Sequence, residues 1–125
     1  MSRNAATNDG SDDGPPITFH MAPADVWRAQ SGLPAYLPEA FAADGFIHCT
    51  DGEDELIAVA NHFYRSDARD YVVLSIARDR IAAPVRYKDP SLIYPHIYGP
   101  LNVDAVESVR PMLRDADGRF LGVRG

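Results

Sequence analysis

Short extended segments, separated by proline and glycine, are the feature that most constrains how this chain can fold. The β-branched run at residues 71–76 predicts a central strand. Alternating or extended patterns predict further strands at residues 17–20, 46–49, 84–88, 93–98, 103–113 and 119–123. Because these segments outnumber the helical ones and do not alternate with them regularly, the pattern favours an α+β fold with a mostly antiparallel or mixed sheet.

Turn and proline signals refine the order of these strands. Residues 84–88 are expected to form an edge strand. Pro95 has no amide hydrogen to give to a neighbouring strand, which indicates an edge or irregular segment at 93–98. The Asp117-Gly118 pair predicts a hairpin between the last two strands.

The clearest helix of the sequence lies between the second and third predicted strands. Its apolar residues recur at the helical spacing and predict a stripe that faces a core: Leu56, Val59, Ala60 and Phe63. Thr50 and Glu53 fit a capping box at its start, in which side chains satisfy free backbone amides. A shorter helix is expected at residues 23–30.

Length and composition indicate a single domain at residues 16–125, preceded by a disordered tail at residues 1–15. The tail is rich in Asn, Asp, Ser and Gly and cannot bury enough apolar surface to offset the entropy of ordering. With 125 residues, the chain falls within the usual range for one domain.

The charge balance and the cysteine content exclude several classes of protein. Eighteen acidic and twelve basic residues give a formal net charge of −6, which disfavours binding to nucleic acid. Cys49 is the single cysteine, so the chain has no internal disulfide and no cysteine cage for zinc. With no apolar run long enough for a membrane helix and no signal-peptide pattern, we expect a cytoplasmic protein.

Three of the four histidines lie in or beside extended segments and are the candidate catalytic residues: His20, His48 and His96. Strand alternation places His48 on the face of Phe46, and His96 on the face of Tyr94 and Tyr98. If the segments are neighbours in the sheet, the imidazoles converge on one ligand pocket. Because histidine can donate, accept and titrate near neutrality, it suits such a site.

The binding candidates extend this set. They are His20, His48, Thr50, Tyr94 and Tyr98. The two tyrosines can stack on a flat ring and hydrogen-bond a sugar or phosphate, and amides at the helix start near Thr50 can bind an anion. No metal is expected, since the histidines lack paired local spacing. Cys49 lies on the strand face opposite His48 and is expected to be a buried, inert thiol.

These segments together resemble a bacterial family known as domain of unknown function 952 (DUF952). The resemblance covers about residues 17–122 and is carried by Phe19-His20 with the later Trp27, by residues 44–50, 71–74 and 95–101, and by residues 114–120. It implies a fold similar to that of the ADP-ribosyltransferases, a split antiparallel sheet around a nicotinamide-dinucleotide cleft, with NAD as the expected cofactor.

The same resemblance implies roles for individual residues. His20 would hold the nicotinamide ribose, and His48 would lie beside the nicotinamide. In the wider ADP-ribosyltransferase superfamily a third position is often Glu, and here the nearest candidates are His96 and Tyr98. In this respect the chain resembles the branch of the superfamily that has two histidines and no catalytic Glu, which includes RNA 2′-phosphotransferases. The acidic chain, however, lacks the basic residues that an RNA substrate would need.

Three functions stay open at this point. The first is an enzyme that transfers ADP-ribose or splits the glycosidic bond of NAD. The second is a non-catalytic module that binds a small nucleotide-like ligand. The third is a structural or interaction protein in which the histidines complete a polar core.

Overall fold

The computed structural model describes residues 14–125. In chain order, its helices are α1 (Ala24–Gln30), α2 (Phe41–Asp44) and α3 (Glu53–Phe63). Its strands are β1 (Ile17–Pro23), β2 (Ala35–Tyr36), β3 (Ile47–His48), β4 (Tyr71–Ala77), β5 (Val85–Tyr87), β6 (Pro95–Ile97), β7 (Leu101–Asn102), β8 (Val106–Arg114) and β9 (Phe120–Val123). Residues 1–13 of the predicted tail lie outside the described residues.

All strand pairs of this described region are antiparallel, and they form three sheets. The largest has the order β1-β4-β8-β9, the next β3-β6-β5, and the last pairs β2 with β7. The expected α+β class with antiparallel sheets is therefore confirmed. Strand β4 is central, as its β-branched sequence predicted.

Two buried clusters hold these sheets together. One packs Leu74 and Ile76 of β4 against Ile47 and Ile97 of the three-stranded sheet. The other packs Leu56 of α3 against the other face of the large sheet, where Met21 and Val73 alternate with the residues of the first cluster. Burial of side chains of this size contributes roughly 1.5–3 kcal/mol each, which fixes the sheets against one another.

Several predictions about individual elements need correction. Helix α3 begins after Gly52, which is its N-cap and makes no side-chain capping hydrogen bond, so the capping box was wrong. The Phe63 side chain was expected in the core, but it is 67% exposed. Tyr64, the residue at the helix C-cap, packs against the cluster instead.

Strand β6 corrects the edge prediction for residues 93–98. It lies between β3 and β5, and therefore in the middle of its sheet. Pro95 is tolerated there because it is the first residue of the strand, where its missing amide hydrogen interrupts no ladder, while its carbonyl accepts a bond from the Cys49 amide at 3.0 Å. The predicted edge strand β5 and the β8–β9 hairpin are confirmed, with Gly118 at φ +86° in the turn.

Candidate functional site

A cleft of about 160 Å³ opens where β1 meets β2, β3 and α3. Part of its lining is apolar and comes from Met21 of β1 and from Leu56 and Val59 of α3. His20 and His48 both line this same space. An apolar lining with a few convergent polar groups is the usual composition of a small-ligand site.

His20 lies at the inner end of the cleft and is only 6% exposed. Its Nδ1 is 2.7 Å from the carbonyl oxygen of His48, and its Nε2 is 2.9 Å from the hydroxyl of Tyr36. Because a carbonyl oxygen only accepts, Nδ1 carries the hydrogen and Nε2 accepts from the Tyr36 hydroxyl. The ring is therefore held in one tautomer by two neighbours.

The electrostatics of this pair favour neutral groups. Burial lowers the pKa of His20 to about 4, an effect that the bond to the His48 carbonyl partly opposes. Burial likewise raises the pKa of Tyr36 well above its usual value. At neutral pH, both side chains are uncharged hydrogen-bonding groups, and the phenol oxygen of Tyr36 keeps acceptor capacity toward the cleft.

His48 lies at the mouth of the cleft, with 58% of its side chain exposed. Its Nε2 is 2.9 Å from a carboxylate oxygen of Asp44. The chain can bring the two together within four residues because Gly45, at φ +79°, ends α2 in the left-handed conformation. With Nε2–H donated to Asp44, Nδ1 is the ring nitrogen left to accept a proton or a hydrogen bond.

His96 lies beside His48 and does not line the cleft. The two residues are direct partners between β3 and β6, and their ring centroids are 5.5 Å apart. The His96 ring stacks on Phe46 at 3.8 Å with an interplanar angle of 10°. Burial, followed by the neighbouring His48, lowers the pKa of His96. His20 and His48 therefore border the cleft, and His96 lies next to His48 outside it.

The predicted binding tyrosines lie away from the cleft. Tyr98 contacts the rings of Phe46 and His96, and its hydroxyl is 3.3 Å from Nδ1 of His96. The amide of Tyr94 is bound to the Asp89 carboxylate. Neither tyrosine lines the cleft.

Thr50 and Cys49 follow His48 on opposite sides of the backbone. Thr50 is buried, lines the cleft, and pairs through its backbone with Phe19. Cys49 packs within the core, and burial, with the Asp51 charge second, raises its thiol pKa. The thiol is therefore protonated and shielded, in line with the expectation of an inert cysteine.

One wall of the cleft, formed by Glu39, Asp67, Arg69 and Tyr71, was not predicted from the sequence. Arg69 donates to both Glu39 oxygens at 3.1 Å and to Asp67 at 2.8 Å. Asp67 also accepts from the Tyr71 hydroxyl at 2.7 Å. Hydrogen bonds from the Arg69 guanidinium hold the pKa of Asp67 far below its usual value. The alternating Asp-x-Arg-x-Tyr pattern before β4 was the available signal for this wall.

The charge around the cleft is negative. Glu39 and Asp67 carry two negative charges and Arg69 carries one positive charge, so these lining groups sum to −1. The carboxylate of Asp44, which is bound to His48, adds one more negative charge at the mouth of the cleft. Such a site attracts a cationic group and repels a phosphate.

The sequence matches a known family over most of its length. The model described as "Protein of unknown function (DUF952)" matches residues 21–109. The chain belongs to the DUF952 family. The fold of this DUF952 protein is similar to the X-ray structure of protein CC0527 from Caulobacter crescentus, with a TM-score of 0.72 and 23% identity over 84% of this chain and 93% of that one.

The solution NMR structure of CC0527 gives the same result. Its TM-score is 0.66, at 22% identity over 83% of this chain and 90% of that one. Identities at this level establish the fold alone. Curated proteins give no match to this DUF952 chain.

Two further observations concern the described region as a whole. Among residues 14–125, no three His, Cys, Asp or Glu side chains are grouped in a way that could hold a metal ion. No helix in this region is long and apolar enough to cross a membrane.

Proposed function

We propose that the cleft binds the flat, positively charged ring at one end of a nucleotide-like ligand, with the nicotinamide end of oxidised NAD as the candidate. The observation that carries the proposal is the joint lining of one cleft by His20 and His48, with Tyr36 bonded to His20. The ADP-ribosyltransferase-like fold that the family resemblance implies would take the same type of ligand.

The size of the cleft limits how much of the ligand it encloses. Pockets for drug-sized molecules measure roughly 300–1,000 Å³, whereas this cleft measures about 160 Å³. It holds a single ring and part of a sugar. The phosphates and the adenosine of a dinucleotide would lie outside the mouth.

The charge of the cleft selects among rings of this size. Glu39 and Asp67 outnumber Arg69 in the wall, and Asp44 lies at the mouth. A pyridinium ring is a cation and gains from these carboxylates and from the aromatic faces of Phe46 and Tyr64 that line the same space. Reduced NAD has a neutral ring and lacks this gain.

The proposed chemistry is cleavage of the glycosidic bond to the ring. The bond between the ring nitrogen and the anomeric carbon breaks, and nicotinamide leaves with the electron pair. The oxygen of water or of an acceptor hydroxyl then bonds to the anomeric carbon, and its proton passes to Nδ1 of His48. Asp44 orients His48 and stabilises the imidazolium that forms.

The other two catalytic candidates have supporting roles in this scheme. Both ring nitrogens of His20 are already engaged, so His20 holds the Tyr36 hydroxyl in place, and the neutral Tyr36 oxygen accepts a hydrogen bond from a sugar hydroxyl. His96 stacks on Phe46 beside His48 and keeps the His48 ring at the mouth of the cleft.

Binding without turnover is the second candidate function, and one observation favours it. Both wall carboxylates, Glu39 and Asp67, are hydrogen-bonded to Arg69. The net charge of −1 still attracts a cationic ring, but neither carboxylate is free to contact the sugar directly, where positive charge develops during cleavage. A module of this kind protects the ligand and forms no product.

Titration calorimetry with oxidised and reduced NAD tests both candidates. We expect micromolar to millimolar binding of oxidised NAD, weaker binding of reduced NAD, and about tenfold weaker binding by His48→Gln, since a lost hydrogen bond to a charged or polar partner has roughly that effect. His62→Gln is the matched control, because His62 is an exposed helical histidine outside the cleft.

The outcomes separate the candidates. Nicotinamide release, followed by mass spectrometry and lost in His48→Gln, supports the enzyme. Binding with no product over hours supports the module. Flat heats with both forms of NAD for the wild-type protein would overturn the ligand proposal.

A further inference from the structure

Arg114, in the last position of β8, lies outside the cleft but contacts the segment that forms one of its walls. Its Nη1 donates to the carbonyl of Arg69 at 2.7 Å, and its Nη2 donates to the carbonyl of Arg65 at 3.1 Å. The same guanidinium donates to the carbonyl of Gly118 and lies 4.1 Å from the centroid of the Phe120 ring.

These bonds fix both ends of one surface loop. Residues 65–69 carry the side chains of Asp67 and Arg69 into the cleft. Within the loop, the Asp67 amide bonds to the Tyr64 carbonyl and the Arg69 amide to the Asp67 carboxylate, so the loop's own bonds are local. Two side chains tie the loop to the large sheet: Tyr71 of β4 through the Asp67 carboxylate, and Arg114 of β8 through the two loop carbonyls.

The β8–β9 turn supports the loop from the same side. Gly118 adopts φ +86°, and a Cβ atom at this position would be 2.8 Å from the Arg65 carbonyl oxygen. The turn is itself held by the Asp115 carboxylate, which accepts from the amides of Asp117 and Arg119. The turn is therefore held in a fixed conformation where it contacts the loop.

We propose that Arg114 is a positioning residue for ligand binding: its planar guanidinium sets the place of Arg69, and through the Arg69–Glu39 bridge it sets the width of the cleft mouth. The inference rests on the proposed function for its effect on affinity. The positioning of the loop is measurable without any ligand. Lysine cannot replace this arginine, because an ammonium group lacks the planar fork that reaches several carbonyls at once.

The test compares Arg114→Lys with Arg110→Lys. Arg110 lies on the same strand, and its guanidinium bonds to Glu53 instead of the loop. For Arg114→Lys, we expect about tenfold faster hydrogen exchange at the amides of Asp67 and Arg69, and a several-fold rise in the dissociation constant for oxidised NAD, since less of the protein has the binding-competent wall. Arg110→Lys should leave both quantities unchanged.

Gly118→Ala is the second variant, in case Arg114→Lys folds poorly. Its Cβ pushes on the Arg65 carbonyl while Arg114 is kept, and it should give the same local increase in exchange. Exchange at residues 67 and 69 that matches the wild-type protein in both variants, or that rises equally throughout the sheet, would overturn the positioning role.

The binding and exchange measurements distinguish a failure of the proposed function from a failure of the proposed role of Arg114. If the wild-type protein binds no NAD, the proposed function fails, and the exchange data alone decide whether Arg114 positions the loop. If the wild-type protein binds NAD and Arg114→Lys binds equally well despite a loosened loop, the role of Arg114 in binding is refuted while the proposed function stands.

Discussion

Acidification should destabilise this protein through His20 before its carboxylates are protonated. Burial lowers the pKa of His20 in the folded state to about 4, whereas the unfolded chain keeps the ordinary value of 6.5. Above pH 6.5, neither state binds the proton and His20 has no effect on the pH dependence. As the pH falls from 6.5 to 4, the unfolded state takes up a proton that the folded state does not, so the free energy of unfolding decreases.

The size of the effect follows from the same two values. Each unit of pKa difference corresponds to about 1.4 kcal/mol. The decrease in the free energy of unfolding due to His20 is therefore limited to about 3 kcal/mol, and it reaches roughly 2 to 3 kcal/mol by pH 4.5. Asp67 and Asp89 have lowered pKa values and lose their stabilisation only below the ordinary carboxyl pKa of 3.8, outside this window.

Urea unfolding at pH 7.0, 6.0, 5.0 and 4.5 measures the loss. Trp27 is the single tryptophan, and its ring lies 5.6 Å from that of Tyr36, so its fluorescence reports on this part of the fold. His96 also has a lowered pKa and adds to the wild-type slope. The His20→Gln variant isolates the contribution of His20, because it keeps His96.

We expect His20→Gln to lose roughly 2 kcal/mol less than the wild-type protein between pH 7.0 and 4.5, whatever its stability at pH 7.0. Parallel pH profiles for the two proteins would show that His20 is not held neutral by burial. The assignment of one neutral tautomer to His20, bonded to the His48 carbonyl and the Tyr36 hydroxyl, would then fail as well.

Two further predictions concern the packing of the site and of α3. Tyr36→Phe leaves the buried Nε2 of His20 without its hydrogen-bond donor, so it should reduce the free energy of unfolding by about 1–3 kcal/mol in urea titrations at pH 7. A reduction below about 0.5 kcal/mol would mean that water replaces the hydroxyl. Leu56→Ala should reduce the free energy of unfolding by about 2–5 kcal/mol because Leu56 is buried, and Phe63→Ala should reduce it by no more than about 0.5 kcal/mol because Phe63 is exposed. Equal reductions for the two variants would contradict the packing described for the helix.

The elements that could be predicted from the sequence are those long enough to show a period. β4 spans seven residues and α3 eleven, and both were placed correctly. β2 has two residues, which is too short to show any alternation, so Tyr36 went unnoticed although it is fully buried against His20.

The candidate site was predictable in part for a related reason. Alternation gives the face of a strand on which a side chain lies, and it placed His48 with Phe46 correctly. Alternation does not show which sheets meet in the fold, and the meeting of the sheets decides which face borders a cleft. His96 shares a face with His48, yet Phe46 covers its ring, while Arg69 comes from a loop with no periodic pattern.

The junction between the large sheet and β3 has a mechanical consequence. Between β1 and the segment after β3, the bonds described are the reciprocal amide bonds of Phe19 with Thr50, the Thr18 hydroxyl bond to Thr50, and the His20 contact with His48. Behind these bonds, the buried packing of Leu74 and Ile76 against Ile47 and Ile97 fixes the spacing of the two sheets. The cavity is therefore preorganised, and a ring that fits it binds without the entropy cost of ordering the protein first.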